Sequence, residues 1–333
     1  GSYIAPHVFE IDSLDQLTEE VFGPILHVIR YPSDGLSSVI EQINNTGYGL
    51  TLGIHSRIEA FSETVFRNTI AGNTYINRNM VGAAVGVNPF GGRGLSGTGP
   101  KAGGPNYLLR FSANQTPAEI KKSFPMDLTA PKTADIAAVP SALKAMIKWQ
   151  WTSIDDRLAI IDQCSSDFLP VIETIAREKL ANPMQLPGPT GEDNKLFLFG
   201  RGPMVLVINK TDSLSDALKQ ICCALLCGCP LVIAVHDSHR EEIQRVQRDF
   251  QQQFRRQFKQ ESGVAEGLLQ LAPLNSLPTL IQNNAIEGVI ANSLNTDSSA
   301  LRQLMAQRSG SIIPLIEWPD NNQGYSYPWL LWF

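Results

Sequence analysis

Met204-Val205-Leu206-Val207-Ile208 and Leu231-Val232-Ile233-Ala234-Val235 are two five-residue aliphatic runs with no polar interruption. Strands of this kind have no solvent face, so they belong to a parallel sheet covered on both sides. Between them, Ser213 to Leu226 reads as a helix. Downstream, a long polar helix from Ser238 to about Gln260 precedes strand Leu268–Leu271, helix Leu277–Asn284 and strand Gly288–Ala291. Helix Ser298–Arg308 and strand Ile312–Glu317 complete the series. Upstream lie a helix around Ser141–Trp149 and a longer one from Ile154 to about Leu180, with Ile154, Leu158, Ile161, Phe168, Ile172 and Ile175 on its apolar side. The alternation specifies an α/β fold, a doubly wound parallel sheet over residues 134–333.

Toward the N-terminus the character changes. Residues 112–133 carry prolines, two adjacent lysines and small polar residues, and read as a linker. In residues 1–111, Val8–Ile11 and Ile25–Tyr31 are strand candidates and Ser37–Ile43 a short helix. Ile58, Phe61 and Val65 form a helical stripe, and Thr74–Asn77 returns as a strand. Then comes Gly82 to Pro105, rich in glycine and holding Pro89, Pro100 and Pro105. A helix would lose about 1 kcal/mol per interior glycine and about 3 kcal/mol per proline, so this is a long loop. Such loops line sites or are disordered, and Val85, Val87, Phe90 and Leu95 argue against disorder. It is no Walker loop, since Ala102 follows Lys101. Nor is it a dinucleotide fingerprint, since Asn106–Phe111 reads as extended chain rather than helix. A backbone-lined binding loop and a glycine-rich structural turn both remain open on these residues alone.

Across 333 residues the net charge is −5, which gives no electrostatic footprint for nucleic acid. The longest apolar run, Ile221 to Val235, is broken by Gly228 and Pro230 and is too short to span a bilayer. No signal peptide is visible, and a start at Gly1 suggests an excised piece. The cysteines number five, four of them between Cys222 and Cys229, which points to a reducing compartment. Without CxxC spacing or a nearby histidine, those four read as core packing rather than a metal site. Cys164 falls in an apolar helix stripe, so no residue reads as a catalytic nucleophile. His236 and His239 read as loop and cap residues. Phe250, Phe254 and Phe258 read as a core-facing stripe rather than a membrane helix. The aromatic tail Trp318–Phe333 points to continuing chain or to packing on a partner.

Glu20-Val21-Phe22-Gly23-Pro24 matches the E-x-F-G-P motif of the aldehyde dehydrogenases. Gly49–Ile54, Asn88-Pro89-Phe90-Gly91-Gly92 and Ser96-Gly97 match further segments of that family in the expected order. The first block therefore resembles the last part of an aldehyde dehydrogenase. Asn77–Gly82 and Ser96–Pro105 resemble, within it, the bifunctional proline utilization A enzymes. That resemblance implies a parent that oxidises L-glutamate γ-semialdehyde (pyrroline-5-carboxylate) to glutamate with NAD, and a proline dehydrogenase module with FAD upstream of this chain. It implies that Glu20 binds the nicotinamide ribose of NAD and that Phe22 packs beside the ring. It further implies that the Gly82 and Ala83 N–H groups anchor the substrate α-carboxylate, with Phe90 over the aliphatic carbons.

The second block resembles the family more faintly, through Gly200–Ile208 and Ala224–Cys229. Asn292-Ser293 stands where the family has a Gly-Ser phosphate turn, and Val235-His236-Asp237 where it has a Lys-Pro pair. Both cofactor handles are thus expected to be lost, leaving a degenerate domain that covers the dehydrogenase. The expectations are residues 1–111 as the end of a dehydrogenase module, 112–133 as linker and 134–333 as this cover domain. No catalytic or metal-binding residue is expected in the chain, which alone should be inactive. Its expected partners are the substrate, the upstream part of the same polypeptide and further copies in a homo-oligomer, in the cytoplasm. Any inner-membrane contact would come through the upstream module. The rival class is a non-enzymatic interaction module that packs on a partner chain.

Overall fold

The computed structural model describes residues 3–97, 99–111, 138–161, 169–258, 263–292, 296–318 and 331–332. The expected linker, Cys164 and most of the aromatic tail lie outside them. Contacts divide the chain into two compact units, Gly1–Val81 with Gly92–Gly97, and Gly82–Gly91 with Thr98–Phe333.

The first unit runs β1 (His7–Glu10), β2 (Ile25–Val28), α1 (Leu36–Asn45), β3 (Tyr48–Gly49), β4 (Thr51–Ile54), α2 (Glu59–Asn68), β5 (Asn73–Ile76) and β6 (Arg93–Gly94). Its pairs are small: β1 with β2 and β4 with β5 are parallel, and β3 with β6 is antiparallel. Ile40 of α1, Ile54 of β4 and Val65 of α2 form its core, so Phe61 and Val65 of the expected stripe face inward, whereas Ile58, the extended residue that precedes α2, is exposed. Asn44 fastens the helices, donating to the Asn68 carbonyl at 2.8 Å and accepting from the Ile70 N–H at 3.1 Å. All four residues of β1 are exposed.

In the second unit a short helical turn, Leu108–Phe111, stands where extended chain was expected. The Tyr107 N–H donates to the Gly104 carbonyl, and its ring meets Phe111 edge-on at 5.4 Å. After α3 (Ala138–Trp149), the expected long helix is described as α4 (Ile154–Ile161) and α5 (Leu169–Leu180), with residues 162–168 outside the description. Then come β7 (Met184–Leu186), β8 (Asn194–Leu196), β9 (Phe199–Gly200), β10 (Met204–Ile208), α6 (Leu214–Leu226) and β11 (Leu231–Val235). After a 3₁₀ turn at Asp237–His239 follow α7 (Arg240–Phe258), α8 (Val264–Leu268), β12 (Leu269–Pro273), α9 (Leu277–Gln282), β13 (Gly288–Asn292), α10 (Ser298–Ala306), β14 (Leu315–Trp318) and β15 (Leu331–Trp332). Among the described residues no helix is long and apolar enough to cross a membrane.

The sheet order is β12-β11-β10-β13-β14, parallel throughout. Side chains alternate across it with period two. Met204, Leu206, Ile208, Leu231, Ile233, Val235 and Ile290 pack with α3 to α8 on one face. Val205, Val207, Val232, Ala234, Val289 and Ala291 pack with α9 and α10 on the other. This is the doubly wound, Rossmann-type arrangement. Phe250 and Phe254 of α7 lie in the first core with Phe258 against it, as the four-residue spacing predicts.

The C-terminus of α6 is buried, and its orphan carbonyls need donors. The Trp149 indole Nε1 donates to the Leu225 carbonyl at 2.7 Å, and Arg157 Nη1 donates to that of Leu226 at 2.8 Å. The guanidinium also donates to the Trp149 carbonyl at 2.9 Å and lies 5.5 Å from that indole ring. A buried cation at a helix C-terminus meets the negative end of its dipole. Arg157→Ala is expected to destabilise the chain by about 3 kcal/mol, because buried carbonyls lose charged donors. Urea unfolding checks this, and a loss within about 0.5 kcal/mol would mean that the cap is dispensable.

Candidate functional site

Asn77 closes β5 in the left-handed region, φ 55°, where asparagine is tolerated among non-glycine residues. Its side chain accepts from the Ser56 N–H and donates to the Ser56 carbonyl, both at 3.0 Å, which fixes the chain as it leaves the sheet. Arg78 then stacks over Tyr75 at 5.3 Å. Burial raises the Tyr75 phenol above its ordinary pKa, and the Arg78 charge opposes that shift.

Gly82 follows with φ 97°, and a Cβ built there would meet nothing within 4 Å. Its need for glycine is therefore conformational rather than steric. Gly82 and Ala83 are exposed, and neither backbone N–H donates to another described residue. Beyond them the loop tightens. The Asn88 N–H donates to the Ala84 carbonyl at 2.8 Å and the Gly86 N–H to that of Gly103 at 2.8 Å. Phe90 and Ala102 exchange both backbone bonds, at 3.0 and 2.9 Å. Lys101, buried, donates Nζ to the Gly91 carbonyl at 3.2 Å. Sequence reading took Lys101 only as a failed Walker lysine. A lysine between Pro100 and Ala102 at a buried backbone crossing leaves no periodic signal.

Glu20 and Phe22 belong to the other unit. They sit on the segment entering β2, whose Gly23-Pro24 turn is pinned by the His7 N–H donating to the Pro24 carbonyl at 3.0 Å. The Glu20 carboxylate is exposed and bonded to no described residue, and Phe22 is 95% exposed. A free carboxylate can accept from vicinal hydroxyls, and a bare ring offers a stacking face, so both side chains fit the ribose and nicotinamide of a cofactor.

The other place to look is the switch point of the sheet, at the carboxyl ends of β10 and β13, where strand order reverses. Polar side chains occupy it. Asn209 donates Nδ2 to Thr296 Oγ1 at 2.7 Å, and its N–H donates to the Asp212 carboxylate at 2.6 Å. Asn209, Asp212, Asn292 and Thr296 are all buried. Asp216 adds a second carboxylate in the first turn of α6. Asp212 stands where a pyrophosphate would seek a helix N-terminus, while Asp216 is paired with Lys219 at 3.5 Å.

The cysteines are inert. Cys222, Cys223, Cys227 and Cys229 are buried and joined in no disulfide. Burial, more than the neighbouring thiols, pushes Cys223 and Cys227 well above the ordinary thiol pKa, so no thiolate forms near neutrality. Among the described residues no group of three His, Cys, Asp or Glu side chains is placed to hold a metal. His236 caps the 3₁₀ turn, accepting from the Ser238 N–H at 3.1 Å.

Residues 1–116 match the aldehyde dehydrogenase family. This first block belongs to that family. The chain as a whole is 37% identical over 318 residues to the bifunctional protein PutA of Klebsiella aerogenes, covering 94% of the chain and 22% of that protein. Over 127 residues, 37% of the chain, it is 37% identical to the mitochondrial delta-1-pyrroline-5-carboxylate dehydrogenase of Mus musculus, and covers 23% of that enzyme. Among solved structures, proline utilization A from Corynebacterium freiburgense aligns with 94% of the chain and 25% of its own length, at TM-score 0.52 and 22% identity, a likeness of fold. The chain thus spans about a fifth of the length of the curated bifunctional relative.

With its crevice closed by side chains and acids, the second unit's sheet is expected to bind no NAD. Calorimetry of the Glu20→Ala chain, which removes the other handle, should show no binding tighter than about 1 mM. A micromolar Kd would overturn this.

Proposed function

We propose that this chain is a segment of a bifunctional proline-catabolic enzyme whose dehydrogenase module oxidises L-glutamate γ-semialdehyde to glutamate with NAD. The observation that carries the reading is the paired likeness. Nearly the whole chain aligns with a bifunctional PutA, and its first block also aligns with a free-standing pyrroline-5-carboxylate dehydrogenase. In this reading residues 1–111 end the dehydrogenase module, 112–133 link, and 134–333 form a non-catalytic cover domain. Four buried cysteines joined in no disulfide suit the reducing cytoplasm. The nucleophile, the general base and the proline dehydrogenase with its FAD belong to the rest of the polypeptide, so the chain alone performs no turnover.

NAD, when bound, supplies the hydride acceptor. This chain's residues bind and orient. Glu20 accepts from the nicotinamide ribose and Phe22 flanks the ring. Gly82 and Ala83 offer two unused N–H groups to an α-carboxylate, in the manner of an anion-holding nest. Such charge-assisted bonds are roughly twice the strength of neutral ones. Phe90, held by its paired bonds to Ala102, covers the aliphatic carbons between carboxylate and aldehyde.

Substitutions in the full-length enzyme test both halves. Glu20→Ala should raise the KM for NAD roughly ten- to a hundredfold, the loss of one charged hydrogen bond, and leave that for the aldehyde nearly unchanged. Gly82→Val or Ala83→Leu should lower kcat/KM for glutamate semialdehyde a hundredfold or more, for two lost charged contacts worth about 3–5 kcal/mol. Propanal, which has no carboxylate, should be little affected. Equal losses on both aldehydes would return the loop to a structural role.

A further inference from the structure

The loop that carries Gly82, Ala83 and Phe90 is tied to a hairpin more than a hundred residues away in sequence. Asn88 donates Nδ2 to Oδ1 of Asn194 at 3.3 Å, across 106 residues and within one compact unit. Asn194 opens β8, which pairs antiparallel with β7. Its amide orientation is dictated from behind. Asn194 Nδ2 faces the Pro187 carbonyl at 3.2 Å and Glu192 Oε2 at 3.3 Å, both acceptors only. The amide therefore cannot flip without setting oxygen against oxygen, and Oδ1 must point at Asn88. Gln185 completes the frame, donating Nε2 to the Asn194 carbonyl at 3.1 Å and to Asp193 Oδ1 at 3.0 Å. Gly188 packs so tightly beside Asn194 that an added Cβ would lie 2.4 Å from its Nδ2. The hairpin holds this amide as a fixed acceptor.

Asn88 sits at the other end of a short path to the anchor. Its N–H donates to the Ala84 carbonyl at 2.8 Å and closes the turn Ala84–Asn88, directly after Ala83. It also precedes the buried Pro89 and then Phe90. One residue thus joins both flanks of the candidate carboxylate anchor, its N–H closing the turn and its side chain reaching Asn194.

We infer that Asn194 is a positioning residue for substrate: through Asn88 the β7–β8 hairpin sets the turn that aims the Gly82 and Ala83 N–H groups, so the second unit tunes selection of a carboxylate-bearing aldehyde. This rests on the function proposed above. A general cover would affect all aldehydes alike, whereas this contact acts on one end of one substrate class.

The test is a double-mutant cycle, Asn88→Ala and Asn194→Ala, in the full-length enzyme. Each single change should raise the KM for glutamate semialdehyde about three- to tenfold, the weight of one neutral hydrogen bond, with kcat within twofold. The double variant should be no worse than either single one. Kinetics with propanal should not change. An unchanged KM for the semialdehyde, an equal shift with propanal, or additive effects would each overturn the inference. Should Asn194→Ala not fold, Asn194→Gln carries the same test, since it keeps the amide chemistry and displaces the oxygen by one methylene. Hydrogen exchange supplies a readout independent of activity. The Gly86 and Asn88 amides should exchange faster in the Asn194 variant, and unchanged rates would overturn the coupling. If wild-type enzyme fails to oxidise glutamate semialdehyde, the proposed function falls while the exchange rates still decide the link.

Discussion

Every residue of β10, β11 and β13 is buried, so this sheet has no face to give to water. That constraint organises the second unit. Two apolar faces require two helical layers, and the period-two alternation of the strands assigns their buried apolar side chains to one core or the other. The layers then create a second-order problem, because helices packed that deeply bury their own ends. The C-terminus of α6 is the sharpest case: Trp149 and Arg157 put one donor each on the Leu225 and Leu226 carbonyls, and Arg157 also takes the Trp149 carbonyl at the end of α3. A guanidinium is suited to that task because its planar fork reaches two carbonyls at once and stays charged.

The same reasoning explains how a glycine-rich loop can be rigid. Glycine raises the entropy lost on ordering, so the stretch needs compensating bonds. It finds them in its own backbone, at Gly86 with Gly103 and Phe90 with Ala102, and in the buried Lys101 ammonium on Gly91. The bonds stop short of Gly82 and Ala83. A loop fixed at its base with unspent N–H groups at its exposed end is what a backbone anion site requires, since pre-organised donors are not reordered on binding.

Local patterns in the sequence reach as far as local physics does. The strands of the sheet, α6 and the Phe250–Phe254 stripe follow from runs and periods in the chain, and each lies close to its expected bounds. Strands β7 and β8 escaped notice because their residues are largely exposed and too few for alternation to register. Nothing local marks Asn88 and Asn194 as partners, since their meeting depends on the whole unit being folded. The candidate site divides in the same way. Its motif residues are legible as motifs, while the φ of Gly82 and the burial of Lys101 belong to the three-dimensional structure.

The switch point of the sheet shows how buried polar side chains can satisfy the strand ends of a parallel sheet. A parallel sheet of this order leaves a crevice between β10 and β13 whatever the loops contain, because the crossovers depart to opposite faces there. Left empty, that crevice would expose backbone groups and apolar strand ends. In a dinucleotide-binding protein glycines keep it open and the ligand fills it. Here Asn209 and Thr296 bridge it side chain to side chain, and Asp212 takes the Asn209 N–H, so the strand ends are satisfied from within. The Asp212 carboxylate opposes an incoming anion there, though a helix N-terminus alone would attract one, while Asp216 is paired with Lys219. A buried polar network of this kind stabilises only while every member is paired. Opening it for a phosphate would cost the Asn209–Thr296 hydrogen bond and displace Asp212 from the Asn209 N–H.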